Sequence, residues 1–281
     1  MKRVAIQGFK GCFHEEAARN FYRETEGIIP EIVECATFDG LYQAMNEGRA
    51  DAAVMAIENT SSGGLLPNLE ILRKYGKKVK GETYLHIHQN LMAVPGQKLE
   101  DIREVRTHYM AINQTREFFE TRAPWIHLIE SEDTAKSAID IAREGVRGVG
   151  AVASALAASQ NGLEILVPRI ETYKQNFTRF LILDDTLHIP EQCVNKASIC
   201  FTLDHQPGAL SSILTILSFY RMDLTRIQSL PIPGKQWQYF FYADITFDDY
   251  GRYCQAISAV RPLMEDINIL GEYVSASGNQ E

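Results

Sequence analysis

The feature that most constrains this chain is an alternation of short apolar strands with amphipathic helices that runs once, breaks, and then restarts. Residues 3–8 read as a strand, a glycine loop follows at Gly8 to Gly11, and 14–24 read as a helix. Strand 31–36, helix 38–47 and strand 51–57 continue the pattern up to Glu58-Asn59-Thr60-Ser61-Ser62-Gly63-Gly64, after which a helix ends near Tyr75-Gly76. A β-rich stretch, 79–95, separates this from a second run: strand 104–108, helix 111–121, strand 126–130, helix 133–144, strand 148–152 and helix 153–160. Two α/β lobes with parallel strands are the expectation, with a ligand cleft between them. Extended pieces at 164–168 and 178–183 follow, the latter suited to carry the chain back to the first lobe.

Between Asp184 and Ala197 the sequence turns polar and irregular, as a linker does. Beyond it, strand 197–203, helix 208–219, strands 223–230 and 236–247, helix 250–261 and strand 267–273 give the βαββαβ order of a ferredoxin-like sandwich. The domains are therefore expected at 1–185 and 197–273, ample for 281 residues.

Charge narrows the partners. Thirty-six acidic against 28 basic side chains give a net charge of −8, and no block of Lys and Arg tracks a phosphate backbone, so nucleic acid is not expected. The five cysteines lack a CxxC pair and suit a reducing compartment. The first residues run straight into strand-like sequence rather than a signal peptide, and no segment reaches membrane-spanning length; a cytoplasmic protein without membrane contact is expected.

Several loops carry candidate chemistry, each with a plainer alternative. The N–H groups near Gly11 could hold an anion before a helix, although without other support a tight turn is the preferred reading. The loop from Glu58 to Gly64 sets an amide and three hydroxyls at a strand end, where α/β folds bind ligands; a helix cap would need only one hydroxyl. Thr107 and His108 end a strand of the second lobe, with Gln114 on the following helix. His86 and His88 share a strand face but have no evident third ligand, so a metal is not expected. In Asn176-Phe177-Thr178-Arg179-Phe180, alternation puts Asn176, Thr178 and Phe180 on one face; taken alone, Thr178 is an ordinary strand residue.

Together these motifs resemble the prephenate dehydratase family, in that family's order and over nearly the whole chain. Gln7 to His14 resembles its opening glycine motif, Ile57 to Gly63 its Glu-Asn-Ser/Thr loop, and Thr178-Arg179-Phe180 its Thr-Arg-Phe signature. Ala151 to Ala158, with Gly162 to Leu166, is similar to its Ala-rich helix and the strand after it. Where members usually read Ser-His-Pro-Gln, this chain has Thr107-His108-Tyr109-Met110. Asp204 to Leu210 resembles the Gly-Ala-Leu turn of ACT domains, while Glu-Ser-Arg-Pro is replaced by Gln228-Ser229-Leu230-Pro231.

The resemblance implies a carbon-oxygen lyase that takes prephenate to phenylpyruvate without a cofactor, on a periplasmic-binding-protein-like catalytic domain, with a C-terminal ACT domain that senses L-phenylalanine. It implies Thr178 as the catalytic residue and Asn59, Thr60, Ser61, Thr107, Gln114 and Gly11 as substrate contacts. Gly208, Ala209, Leu210, Gln228 and Ser229 would hold phenylalanine, and ACT pairing would make a homo-oligomer, dimer or tetramer. Chorismate mutase activity is not expected, since strand-like sequence begins at residue 3. Losing carbon dioxide and hydroxide restores an aromatic ring, so such a site needs donors for two carboxylates and help for the departing hydroxyl rather than a strong base. Arogenate dehydratase and a non-catalytic amino-acid sensor are the rival readings.

Overall fold

The computed structural model describes residues 1–276 apart from 233 and 237; the latter falls in the expected strand 236–247 and lies outside the described residues. In chain order the elements are β1 (Arg3–Gln7), α1 (Phe13–Glu26), β2 (Glu31–Cys35), α2 (Phe38–Asn46), β3 (Ala52–Asn59), β4 (Gly63–Gly64), α3 (Leu66–Tyr75), β5 (Val79–His86) and β6 (Asn90–Ala93). Next come β7 (Glu104–His108), α4 (Tyr109–Arg122), β8 (His127–Ser131), α5 (Thr134–Glu144), β9 (Val149–Ala153), α6 (Ala155–Asn161), β10 (Glu164–Val167) and β11 (Phe177–Leu183). The series closes with β12 (Lys196–Thr202), α7 (Ala209–Phe219), β13 (Asp223–Pro231), β14 (Tyr239–Thr246), α8 (Tyr250–Val260) and β15 (Asp266–Tyr273).

The chain divides into two compact units, one comprising Met1–Leu65 with Thr83–Phe180, the other Leu66–Glu82 with Leu181–Glu281. Residues 66–82, which hold α3 and the start of β5, group with the C-terminal elements.

The first unit holds the two lobes. In one, β1 lies parallel between β2 and β3, with β11 beyond β3. In the other the order is β10-β6-β9-β7-β8, parallel across β9, β7 and β8 but antiparallel where β6 and β10 join. The central strands β3 and β9 are buried almost throughout, as strands covered on both faces must be. Helix α1 buries Ala17, Ala18, Phe21 and Tyr22 along one stripe and ends at Gly27, whose positive φ lets its N–H reach the Arg23 carbonyl.

In the second unit the sheet order β13-β14-β12-β15 follows from βαββαβ connectivity, and β5 adds to β15 where Val79 meets Gly271. One face carries Ala197, Ile199, Phe201, Ala243 and Ile245 against Ile213, Leu217, Tyr253 and Ile257 of α7 and α8. Alternation sends Lys196, Ser198, Cys200, Tyr242 and Asp244 to the other face, where they are also buried. That face is polar: Lys196 Nζ pairs with Glu82 at 2.9 Å, and Ser198 Oγ bonds Asp244 and lies 2.7 Å from Tyr273 Oη. No helix among the described residues is long and apolar enough to cross a membrane.

Candidate active site

Asn59 is the last residue of β3, and its side chain folds back on its own loop. Its Oδ1 accepts from the N–H groups of Ser61 and Ser62, both at 2.9 Å, the local turn that Asn favours. With the carbonyl end occupied, the Nδ2 end must face β11. There it donates to Asn176 Oδ1 at 2.8 Å, Thr178 Oγ1 at 2.9 Å and the Phe177 carbonyl at 3.1 Å. Thr178 is 8% exposed and accepts from Asn59. Its own hydroxyl hydrogen has no acceptor among the described residues, so it is left to donate.

Gln114, on α4 of the other lobe, closes the arrangement. Its Oε1 accepts from Gln89 Nε2 at 3.0 Å and Asn176 Nδ2 at 3.3 Å, and its Nε2 reaches Ser62 Oγ at 3.5 Å. Asn176 joins the two lobes, taking Asn59 and, at 3.2 Å, the Ser61 hydroxyl on its Oδ1 while donating to Gln114. The structure therefore brings together Asn59, Ser61, Gln114 and Thr178. It adds Asn176, Ser62 and Gln89, of which the β-strand parity of Asn176 with Thr178 was the visible signal.

Three of the expected contacts have partners within the protein. Thr107 is fully buried and its hydroxyl donates to the Val152 carbonyl at 2.7 Å, tying β7 to β9 rather than facing the cleft. The Gly11 N–H is taken by Glu15 Oε2 at 2.6 Å and its carbonyl accepts from Ser154 Oγ at 2.5 Å, so the loop is a contact between lobes, not an anion cradle. A Cβ at Gly11 would meet Ala157 Cα at 2.8 Å, with φ at +92°, which explains the glycine. Thr60 Oγ1 accepts from Phe177 N at 2.9 Å and donates to the Gln175 carbonyl at 2.8 Å, clamping the loop to β11.

The histidines are structural or flanking. His14 packs between Phe38 and Phe180, and burial pushes its pKa down to about 4, so it stays neutral and accepts weakly from Ala56 N. Burial likewise lowers His108, which caps α4, and raises Asp133, which caps α5. His86 stacks on Phe177 and contacts the Lys174 carbonyl, and His88 meets Glu171 at 3.1 Å. No group of three metal-ligating side chains occurs among the described residues.

In the second unit, Gly208 adopts φ +86° at the start of α7, and Ala209 and Leu210 line a hollow of about 100 Å³ with Leu203, Asp204, Gln206 and Phe241. Ser229 stands opposite Phe241 on this side of the sheet. Gln228 stands opposite Tyr242, on the other side, so it cannot share a ligand with Gly208 to Leu210; successive strand residues face opposite ways.

Comparison with known proteins places this geometry in context. A family model described as prephenate dehydratase matches residues 4–187. The bifunctional chorismate mutase/prephenate dehydratase of Aquifex aeolicus is 32% identical over 98% of this chain and 74% of its own length. Arogenate dehydratase 2 of Petunia hybrida is 32% identical over 98% and 72%. Among solved structures, a prephenate dehydratase from Arthrobacter aurescens in complex with L-Phe superposes with a TM-score of 0.85 at 26% identity, covering 97% of this chain and 89% of that one. A quorum-quenching acylase, GqqA, superposes with a TM-score of 0.86 at 29% identity over 98% and 99%.

Proposed function

The chain belongs to the prephenate dehydratase family, and from that premise we propose that it converts prephenate to phenylpyruvate in the cleft around Thr178. The observation that carries the reading is the Asn59 amide donating to Thr178 Oγ1 at 2.9 Å. It orients the hydroxyl so that its hydrogen points away from Asn59. As the ring carboxylate leaves as carbon dioxide, its bonding electrons move into the ring and expel the hydroxyl from the opposite carbon. A donor held at that oxygen lowers the barrier, and protonation releases it as water. A threonine is too weak an acid to give up its proton outright, so Thr178 hydrogen-bonds the leaving oxygen while solvent supplies the proton. Gln114 Nε2, whose bond to Ser62 is long, and the Ser62 hydroxyl are the free donors for the substrate carboxylates.

The same hydrogen bond argues against acyl hydrolysis at Thr178. Its partner is an amide donor rather than a histidine or carboxylate, which leaves the hydroxyl without a base to make it a nucleophile.

Arogenate dehydratase is the second reading, favoured by the similarity to the Petunia hybrida enzyme; the elimination is the same, with an ammonium where prephenate has a keto oxygen. Offering both substrates at equal concentration separates the readings: prephenate consumed first supports dehydration of the keto acid, and arogenate consumed first supports the alternative.

Residues 197–273 serve as an ACT regulatory domain, with L-phenylalanine bound in the hollow formed by Gly208, Ala209 and Leu210 beside Ser229 and transmitting to the cleft of a homo-oligomer in the cytoplasm. The βαββαβ order and the L-Phe complex of the Arthrobacter aurescens relative support this. Inhibition of turnover by phenylalanine, together with sedimentation of the chain as a dimer or tetramer, is the expected result.

A further inference from the structure

Gln89, immediately before β6, is 3% exposed and gives its Nε2 to Gln114 Oε1 at 3.0 Å. Its own Oε1, also buried, has no donor among the described residues. A buried carbonyl left unpaired costs free energy, and native structures rarely carry one without a reason. Turning the Gln89 amide over would not relieve it, because two carbonyl oxygens would then meet, Gln89 Oε1 on Gln114 Oε1.

Gln114 cannot turn over to accommodate Gln89, since the direction of the whole amide chain is set by the backbone at its far end. The N–H groups of Ser61 and Ser62 hold Asn59 Oδ1, so Asn59 Nδ2 donates to Asn176 Oδ1. Asn176 Nδ2 in turn donates to Gln114 Oε1 at 3.3 Å. Gln114 Oε1 therefore receives two donors, and its Nε2 is left on the side of Ser62. Gln89 is the nearer donor, and its main chain is pinned at both polar groups. Its N–H donates to Glu171 Oε2 at 2.9 Å, and its carbonyl accepts from Ile170 N at 2.8 Å. Glu171 is 1% exposed and meets His88 Nδ1 through its other oxygen at 3.1 Å. The same segment reaches α4, where Thr172 N donates to the Gln114 carbonyl at 2.7 Å.

We propose that Gln89 is a positioning residue of the reaction: it holds the Gln114 amide with Nε2 turned to the substrate, and its own Oε1 stays unpaired as a result. The proposal rests on the reading of Gln114 as a donor to a substrate carboxylate. Gln89 itself touches no substrate, because its Nε2 faces Gln114 and its Oε1 is buried. Without Gln89, Gln114 Oε1 keeps only the longer bond from Asn176. The amide is then free to present its oxygen to the carboxylate, which replaces an attraction by a repulsion.

A double-mutant cycle on the full chain tests it, using whichever of prephenate and arogenate is turned over. Gln89→Met, which keeps the length of the side chain and removes the donor, is compared with Gln114→Met, the double variant and the unsubstituted protein. Gln89→Leu is a second donor-free variant, and melting temperatures verify that each protein is folded. Gln89→Met and Gln89→Leu are expected to lower kcat/KM about tenfold. The double variant should match Gln114→Met alone, because with that amide gone Gln89 has nothing to orient. A residue that serves only the fold would lower the melting temperature and leave kcat/KM of the folded variant unmoved, which overturns the proposal. So does an equal loss from Gln89→Met with and without Gln114. If Gln114→Met lowers kcat/KM and the Gln89 variants do not, the role of Gln89 alone fails. If Gln114→Met is normal, or the unsubstituted chain turns over neither substrate, the reading of Gln114 fails and the role of Gln89 falls with it.

Discussion

Asn59 and Thr178, 119 residues apart in sequence, are joined by a 2.9 Å hydrogen bond in which the amide is donor and the hydroxyl acceptor. The direction matters more than the distance. Two backbone N–H groups on Asn59 Oδ1 prevent the amide from flipping, so the hydroxyl hydrogen is the free end.

Asn59→Asp should therefore be more damaging than its size suggests. The variant sets a carboxylate oxygen against Asn176 Oδ1, the Phe177 carbonyl and Thr178 Oγ1, all of which now accept from Nδ2. Turnover is expected to fall by about 10²-fold or more, the range seen when a positioned donor is lost, and steady-state kinetics on the folded variant measures it.

Gly11→Ala should destabilise the first unit. Its new methyl has no space beside Ala157, and φ of +92° strains any Cβ-bearing residue. A loss of about 1–3 kcal/mol is expected, read as a lower urea midpoint, with the Ser154 to Gly11 bond weakened between the lobes.

The buried pair of Glu82 and Lys196 makes a contrasting prediction in the second unit. Glu82 also accepts from Ser275 Oγ at 3.2 Å and Ala276 N at 3.1 Å. Glu82→Leu leaves the Lys196 ammonium buried alone and should cost about 3–5 kcal/mol, whereas Glu82→Leu with Lys196→Met should cost less than the single change. Chemical denaturation of both variants tests the order.

His14 gives a pH dependence with a definite sign. Its value in the folded protein, about 4, lies below its ordinary 6.5 because burial disfavours the cation. Between those two values the unfolded chain binds the extra proton. Stability is therefore full above pH 6.5 and declines as pH falls towards 4, by up to about 3 kcal/mol. His14→Gln, which keeps an acceptor for Ala56 N, should flatten that part of the profile; an unchanged slope would assign the acid sensitivity elsewhere.

Much of the fold was legible because strand and helix periods were clean, and the glycines fell at turns. The site was legible in part. Thr107 shares strand parity with buried Val105, and the exposure pattern of β7 alternates accordingly; that parity argued for a buried hydroxyl, but its place at a strand end outweighed it. Gln228 and Ser229 are consecutive in β13 and so had to face opposite ways. The role of Gly11 was not readable, because Ser154 and Ala157 approach it only after the lobes pack. Strand parity set Asn176 on the face of Thr178, yet its bonds to Asn59 and Gln114 were not readable, because those residues converge on it only in the fold.

The most direct test of the account is the rate of phenylpyruvate formation from prephenate by Thr178→Val, followed by absorbance in alkali. Valine keeps the shape and removes the hydroxyl, both the donor to the leaving oxygen and the acceptor of the Asn59 amide. With the variant folded and the unsubstituted chain active, the rate should drop by about 10²-fold or more. Near-normal turnover by Thr178→Val would contradict the assignment of the leaving-group donor.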